Sequence, residues 1–210
     1  MLQNSGTPYF DPQQPIGFWR NKLPHWEQTG KVEFITFRLD DSMPQIIVRQ
    51  YRQLKEQFVK EHPYPWNTAT YRLYGEIITN PMQKYMDAGY GSCVLKDPAV
   101  RRILVNAIDF FNNERFLSWA YVIMPNHVHM LATPAPGYEL STTISSVMRF
   151  SAKNINKLIG RKGQLWREEP FDTIIRNHDH YRNTLEYIRH NPDGLPVGSF
   201  ELGGLEFRSF

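Results

Sequence analysis

The sequence predicts an α+β fold with a central antiparallel sheet of four to five strands and helices packed on one face. Three observations lead there. Short runs of β-branched and aromatic residues alternate with segments whose apolar residues recur at helical spacing. Two of the strand runs are separated by only Pro125-Asn126, which makes them an antiparallel hairpin. The order strand, helices, strand, strand, helix, short strand, helix then fits a layered sandwich.

The elements follow in order. Residues 1–30, rich in Pro, Gln and Asn, form an extended lead-in. Lys31 to Arg38 is the first strand. Asp40-Asp-Ser-Met-Pro44 opens a helix with Ser42 as its cap, and Ile47, Tyr51, Leu54 and Phe58 make its apolar stripe down to His62-Pro63. A second helical stretch runs from about Thr68 to Asp87 and ends at Gly89-Tyr-Gly91. These helices form an insertion after the first strand, over 40–97. Asp97-Pro98 starts the next helix, with Val100, Ile103, Leu104, Ala107, Ile108 and Phe111 on one side. Arg115 to Met124 and His127 to Thr133 are the hairpin strands. Leu140 to Ile159 is a long helix with Leu140, Ile144, Val147, Ile155 and Leu158 as its stripe, broken by Gly160-Arg-Lys-Gly163. Gln164 to Arg167 and Phe171 to Arg176 are short strand candidates. His178 to His190 is the last helix, stopped by Pro192. The reading is one catalytic domain over 31–192 with a tail over 193–210.

Composition narrows the class. An apolar content of 41% with 14% aromatic residues builds an ordinary core and argues against disorder. No apolar run approaches the roughly 18–20 residues of a membrane span, and the first residues lack the pattern of a secretory signal. The single Cys93 excludes an internal disulfide and a multi-cysteine zinc cluster, and fits a reducing, cytoplasmic setting. Net charge is only +3, too small to argue for nucleic acid alone. From Ser141 to Asn191, however, nine Lys/Arg stand against five Asp/Glu, more than the whole chain's surplus.

The chemistry-bearing motif is His127-Val128-His129. Strand side chains alternate, so the two imidazoles share one face about 6.6 Å apart along the strand, suited to gripping one cation. On the last helix, Tyr181, Leu185 and Ile188 form the core stripe. His180, Thr184, Tyr187 and Asn191 form a second one turned part of the way round. Tyr187 and Asn191 are i, i+4 neighbours, so a phenol and a carboxamide project together. Asn191 precedes Pro192, which disfavours helical geometry there. A phenol with a pKa near 10 needs help to attack phosphorus, and a divalent ion on a phosphate oxygen provides it. His127, His129 and Asn191 would hold Mg²⁺ or Mn²⁺, with Tyr187 as the nucleophile. Attack by tyrosine conserves bond energy, so the strand is rejoined without ATP, and no phosphate loop is present.

These residues carry a resemblance. Met124-Pro-Asn-His-Val-His129, Gly163-Gln-Leu-Trp-Arg167, Phe171-Asp-Thr-Ile-Ile-Arg176 and Tyr187-Ile-Arg-His-Asn-Pro192 together resemble the HUH-endonuclease single-tyrosine transposases. The branch is that of the REP-associated tyrosine transposases, which are IS200-like. Gly89-Tyr-Gly-Ser-Cys-Val-Leu-Lys-Asp-Pro98 is similar to one subgroup. The similarity covers about Lys31 to Pro192. It implies a ferredoxin-like core with the histidine pair on a central strand. It also implies metal-dependent nicking and joining of single-stranded, hairpin-forming repeat DNA, with Tyr187 linked to a 5′ phosphate. His127 and His129 take the ligand positions, and Asn191 falls where relatives carry Gln or Asn. After Pro192 relatives continue with a Val-Lys-Ala-Gly-like run, whereas this chain has Asp193-Gly-Leu-Pro-Val-Gly198.

Other residues admit two readings. Arg149, Lys153, Lys157 and Arg161 recur every four residues and either track a DNA backbone or form a solvated helix face. Trp166 beside Arg167 stacks a base or packs in the core. Arg176 contacts phosphate or pairs with Asp172 or Asp179. The alternative to an enzyme is a domesticated, non-catalytic binder of hairpin DNA. A replication initiator or relaxase is disfavoured because no helicase or long extension is present. A histidine-triad hydrolase is disfavoured because position 131 is Leu. The expected state is a monomer or homodimer, with Tyr187 serving its own or a partner's histidines.

Overall fold

The structure is a computed structural model. It describes residues 7–14, 17–20, 24–63, 66–168 and 170–207, with the side chains of 17–20, 24–27, 68 and 71 left aside. The first residues of the lead-in, the last three of the tail, and the side chains of His25 and Trp26 therefore lie outside the described residues. The chain divides into two compact units. One is built from residues up to Asp40 and from Val94 onward, and the other is Asp41–Cys93.

The larger unit holds a five-stranded antiparallel sheet in the order β6-β3-β5-β4-β7. Its strands are β3 (Glu33–Arg38), β4 (Phe116–Ile123), β5 (His127–Pro134), β6 (Phe171–Ile174) and β7 (Glu201–Gly203). Helix α4 (Pro98–Phe111) lies between β3 and β4 in the chain, and α5 (Leu140–Leu158) between β5 and β6. That β-α-β-β-α-β order with β3 and β5 as the inner pair is ferredoxin-like. β1 (Gly17–Arg20) and β2 (Pro24–Glu27) form a separate antiparallel hairpin in the segment expected to be an extended lead-in.

Both faces of the sheet are covered, and alternation in β3 and β5 sorts the side chains. Ile35, Phe37, Leu39, Val128, Met130 and Ala132 face one layer with Val100, Leu104 and Ile108 of α4 and Ile144, Val147 and Ile155 of α5. Phe34 and Leu131 face the other with Leu185 and Ile188 of α6 (His178–His190). The expected placement of helices on one face holds for α4 and α5. The last helix differs, because residues 171–176 leave the sheet at its β6 edge and return the chain on the opposite side.

Local chemistry explains the boundaries. Asp97 caps α4, its carboxylate accepting from the Ala99 amide at 2.8 Å. Asn177 does the same for α6, accepting from His180 N–H at 2.8 Å. Leu158, expected in the α5 stripe, is 52% exposed because the helix ends there, past the last residue buried against the sheet, Ile155. Of the strand expected over Gln164 to Arg167, only Trp166 bridges Leu39. The tail does form structure: β7 pairs with β4 through Tyr121, Val122 and Ile123. Gly203 sits where any Cβ would meet the Tyr121 ring at 2.3 Å, which fixes its identity.

The Asp41–Cys93 unit contains α1 (Gln45–Glu61), α2 (Thr68–Tyr74) and α3 (Asn80–Asp87), with a π-helical segment, Gly75–Thr79, between the last two. Pro81 cannot donate to the turn before it, and the ladder widens there, the Asn80 amide reaching Gly75 O. Ser42 does not cap α1. Pro44 occupies the cap position and Ser42 is buried two residues earlier, because the proline ring fixes an extended entry. Gly91 at φ +93° lets the unit's ends meet: a Cβ there would lie 2.5 Å from Asp41 O, and the Ser92 amide donates to the Asp41 carboxylate at 3.1 Å. The Cys93 thiol donates to Gly89 O at 3.2 Å, a structural role.

Arg101 ties the tail to the core. It is 3% exposed and donates to Leu95 O at 2.9 Å, Lys96 O at 2.7 Å and Gly198 O at 2.5 Å. Arg101→Met leaves three carbonyls short of a charged donor, an expected loss of about 3 kcal/mol. It is read as a lower denaturant midpoint at unchanged slope. A loss under about 1 kcal/mol would mean that water serves those carbonyls equally well.

Candidate active site

The middle strand β5 carries His127 and His129 on the face that α6 covers, both fully buried. A ring nitrogen of each lies within 4.8 Å of one on the other, and the rings meet edge to face at 4.6 Å between centroids. Each ring is oriented by a neighbour. The Nδ1–H of His127 donates to Asn126 Oδ1 at 2.7 Å, because an amide oxygen only accepts. His129 Nδ1 lies 2.7 Å from Thr36 Oγ1, its direct cross-strand partner on β3. Phe34 stacks on the His129 ring with centroids 5.4 Å apart. Burial, and then the neighbouring His127, hold the pKa of His129 well below its ordinary value, so the ring is neutral at physiological pH.

Tyr187 on α6 reaches this floor. Its hydroxyl lies 3.0 Å from His129 Nε2, and its ring meets the His129 ring at 5.1 Å and 61°. Thr36 thus engages Nδ1 of His129 and the phenol faces its Nε2. A phenol from a helix and two imidazoles from a strand thus converge within a single chain.

Asn191 stands one turn beyond Tyr187 on the same side of the helix, half-buried, with its carboxamide oxygen buried. Pro192 does not push it out of helical geometry as expected. Asn191 keeps φ −57° and ψ −38°, so the i, i+4 relation to Tyr187 is preserved. The turn is held past the proline by Asp193 N–H donating to His190 O and Leu195 N–H donating to Pro192 O.

The remaining candidates separate. Tyr181 is not at the histidines; its hydroxyl donates to Glu206 at 2.7 Å, and burial with that carboxylate pushes its pKa up. His180 accepts from the Arg176 amide at 3.3 Å. Trp166 is core, packed edge to face on Phe37 and donating to Ser151 Oγ at 3.0 Å. Arg167 is ion-paired with Asp40 at 3.2 Å. Arg149, Lys153 and Lys157 are exposed on α5, which lies on the opposite side of the sheet from Tyr187, and Arg161 is half-exposed in the turn that follows the helix. Among the described residues no helix is long and apolar enough to cross a membrane.

Sequence reasoning missed Thr36, Asn126 and Phe34 as the residues that hold the rings. Asn126 was visible beside His127, but Thr36 and Phe34 are adjacent to the site only through the β3–β5 register.

A ferredoxin-like domain with a histidine pair on its inner strand and a tyrosine helix laid over it is the arrangement that the motifs implied. Residues 93–191 match the family described as "Transposase IS200 like". No curated protein matches the chain. One solved structure that matches is described as a REP-associated tyrosine transposase bound to a REP hairpin. It shares 18% identity over 82% of this chain and 73% of that one, with a TM-score of 0.44.

His180 gives the site helix a pH dependence. Burial, and then Arg176, lower its pKa to about 4, against about 6.5 in an unfolded chain. Between those values the unfolded chain holds the extra proton, so stability rises with pH across that window. It is lost progressively as pH falls from about 6.5 to about 4. His180→Gln should flatten the fall of melting temperature over this range, and an unchanged profile would show that other groups dominate it.

Proposed function

We propose that the chain is a metal-dependent, single-tyrosine DNA endonuclease and strand-transferase that nicks and rejoins hairpin-forming, single-stranded DNA. The observation that carries this reading is the 3.0 Å approach of Tyr187 Oη to His129 Nε2. A structural tyrosine has no need of a second hydroxyl-bearing neighbour, Thr36, fixing the other nitrogen of the same ring.

The donor set fits a divalent cation. Two imidazoles whose Nδ1 atoms are engaged by Asn126 and Thr36 would offer their Nε2 atoms, and the buried amide oxygen of Asn191 would be a third ligand, of the oxygen type that Mg²⁺ and Mn²⁺ accept. Bound there, the ion supplies charge stabilisation to a non-bridging phosphate oxygen. Tyr187 forms the bond to phosphorus as the bond to the 3′ oxygen breaks, leaving a 5′-phosphotyrosine and a 3′ hydroxyl. The proton that the phenol sheds balances the one that the leaving oxygen gains. Phe34 and the α6 stripe keep the ring over the strand, with Phe34 and Tyr187 edge to face at 6.2 Å. The hairpin substrate class is the one that the family resemblance implies, in a cytoplasmic setting. Arg149, Lys153, Lys157, Arg161, Arg167 and Arg176 are the proposed pool of backbone contacts.

Wild type and Tyr187→Phe are incubated with labelled hairpin oligonucleotides carrying single-stranded flanks, with Mn²⁺. A denaturant-resistant protein–DNA adduct is expected for wild type alone. The variant loses one hydrogen bond, about 1 kcal/mol, and should stay folded. Hairpin binding without an adduct in wild type would instead support the non-catalytic binder.

Thr36→Val removes the hydroxyl that orients His129 and should weaken Mn²⁺ binding roughly tenfold or more by calorimetry. Wild-type affinity in that variant would remove His129 from the ligand set.

A further inference from the structure

The motifs end at Pro192, but the chain beyond it folds back over the tyrosine helix. Leu195, Leu202 and Phe207 pack against the layer that holds Leu185 and Ile188 of α6. On its way the tail passes Arg101, which donates to Gly198 O and pairs with Glu201 at 3.7 Å, and then enters β7 beside β4. Gly204 follows at φ +102°, where a Cβ would lie 2.6 Å from Trp119 O. Only glycine lets the chain turn flush against β4 there. The 3₁₀ turn Leu205–Phe207 then brings the tail to the side of α6.

Two directional contacts join this turn to the helix. The Tyr181 hydroxyl donates to Glu206 at 2.7 Å. Arg189, which also pairs with Glu186 at 3.7 Å, sets its guanidinium 5.5 Å from the centre of the Phe207 ring. Residues 181 and 189 stand on either side of Tyr187 along α6, so the tail grips the helix on both sides of the phenol. Leu185 and Ile188, buried against the sheet, attract without direction; they hold the helix down but fix its roll only loosely. The tip of a helical side chain stands roughly 6 Å from the axis, so a roll of about 10° moves it by about 1 Å. A displacement of that size lowers a rate by about a hundredfold where attack must be aligned. The bond from Tyr187 to His129 does not prevent the roll in the proposed reaction, because a cation on Nε2 would displace it.

We propose that Glu206 and Phe207 are positioning residues: the tail is a clasp that sets the roll of α6 and so aims Tyr187 at the phosphate. The clasp acts through the helix and binds neither the DNA nor the cation. This deepens the endonuclease reading and rests on it.

The experiment compares the full chain with its Glu206→Ala/Phe207→Ala double variant. With a saturating labelled hairpin oligonucleotide and Mn²⁺, the variant should form the Tyr187–DNA adduct roughly tenfold more slowly or worse. Its affinity for the hairpin, by anisotropy, and for Mn²⁺ alone, by calorimetry, should match wild type. Amide hydrogens of α6 should exchange roughly tenfold faster, while those of β3 and β5 keep their wild-type rates. Glu206→Gln retains an oxygen that accepts from Tyr181 and should restore the adduct rate. A wild-type adduct rate in the double variant would overturn the proposal. So would a faster one, which would make the tail a brake, or an equal loss of hairpin or Mn²⁺ affinity. If the double variant fails to fold, Tyr181→Phe removes a single hydroxyl and should slow the adduct about threefold; an unchanged rate there overturns the proposal equally. Failure of the endonuclease reading looks different: wild type forms no adduct, while the faster exchange of α6 in the variant persists.

Discussion

Everything at this site depends on the two-residue period of a strand buried on both faces. β5 is the middle strand, flanked by β3 and β4, and its side chains alternate between two hydrophobic layers, Val128, Met130 and Ala132 in one and Leu131 in the other. Val128 and Met130 go into the α4–α5 layer, which forces His127 and His129 into the other. A shift of one residue in register would send the imidazoles into the larger core and the valine toward Tyr187. Burying two imidazoles in such a layer is costly, and the cost is offset only because each ring has a hydrogen-bond partner, Asn126 or Thr36. The layer that stabilises the fold is thus also what keeps His129 neutral.

The tyrosine contact adds a second constraint. With Thr36 on Nδ1, the phenol occupies the other nitrogen of His129. In the proposed function the hydroxyl and a cation would compete for Nε2. A hydrogen bond of this kind contributes about 1 kcal/mol, which a metal–imidazole bond readily exceeds. Tyr187 is held over the histidines by ring packing on Phe34 and His129, which does not depend on its hydrogen bond. The geometry separates what positions the ring from what its oxygen binds.

Much of this was legible in the sequence because it depends on local periodicity. The Pro125-Asn126 hairpin, the Asp97 cap, the apolar stripe of α4 and the shared stripe of Tyr187 and Asn191 all follow from spacing. What was not legible depends on long-range register. Thr36 and Arg38 lie about ninety residues from the histidines they face, and nothing in Phe34-Ile-Thr-Phe-Arg38 itself says which residues of β5 will stand opposite. The β7 strand was hidden because three residues between glycine-rich turns have no period to detect. Pro44 displaced Ser42 as the cap of α1, and Asn191 stayed helical before a proline. In both cases a backbone constraint near proline was outweighed or redirected by the turns around it.

The two faces also decide where a bound strand can run. The basic row on α5 is the more conspicuous in the sequence, but it lies across the sheet from Tyr187, behind a layer of buried apolar side chains. A strand whose phosphate meets the tyrosine touches that row only by passing around an edge of the sheet.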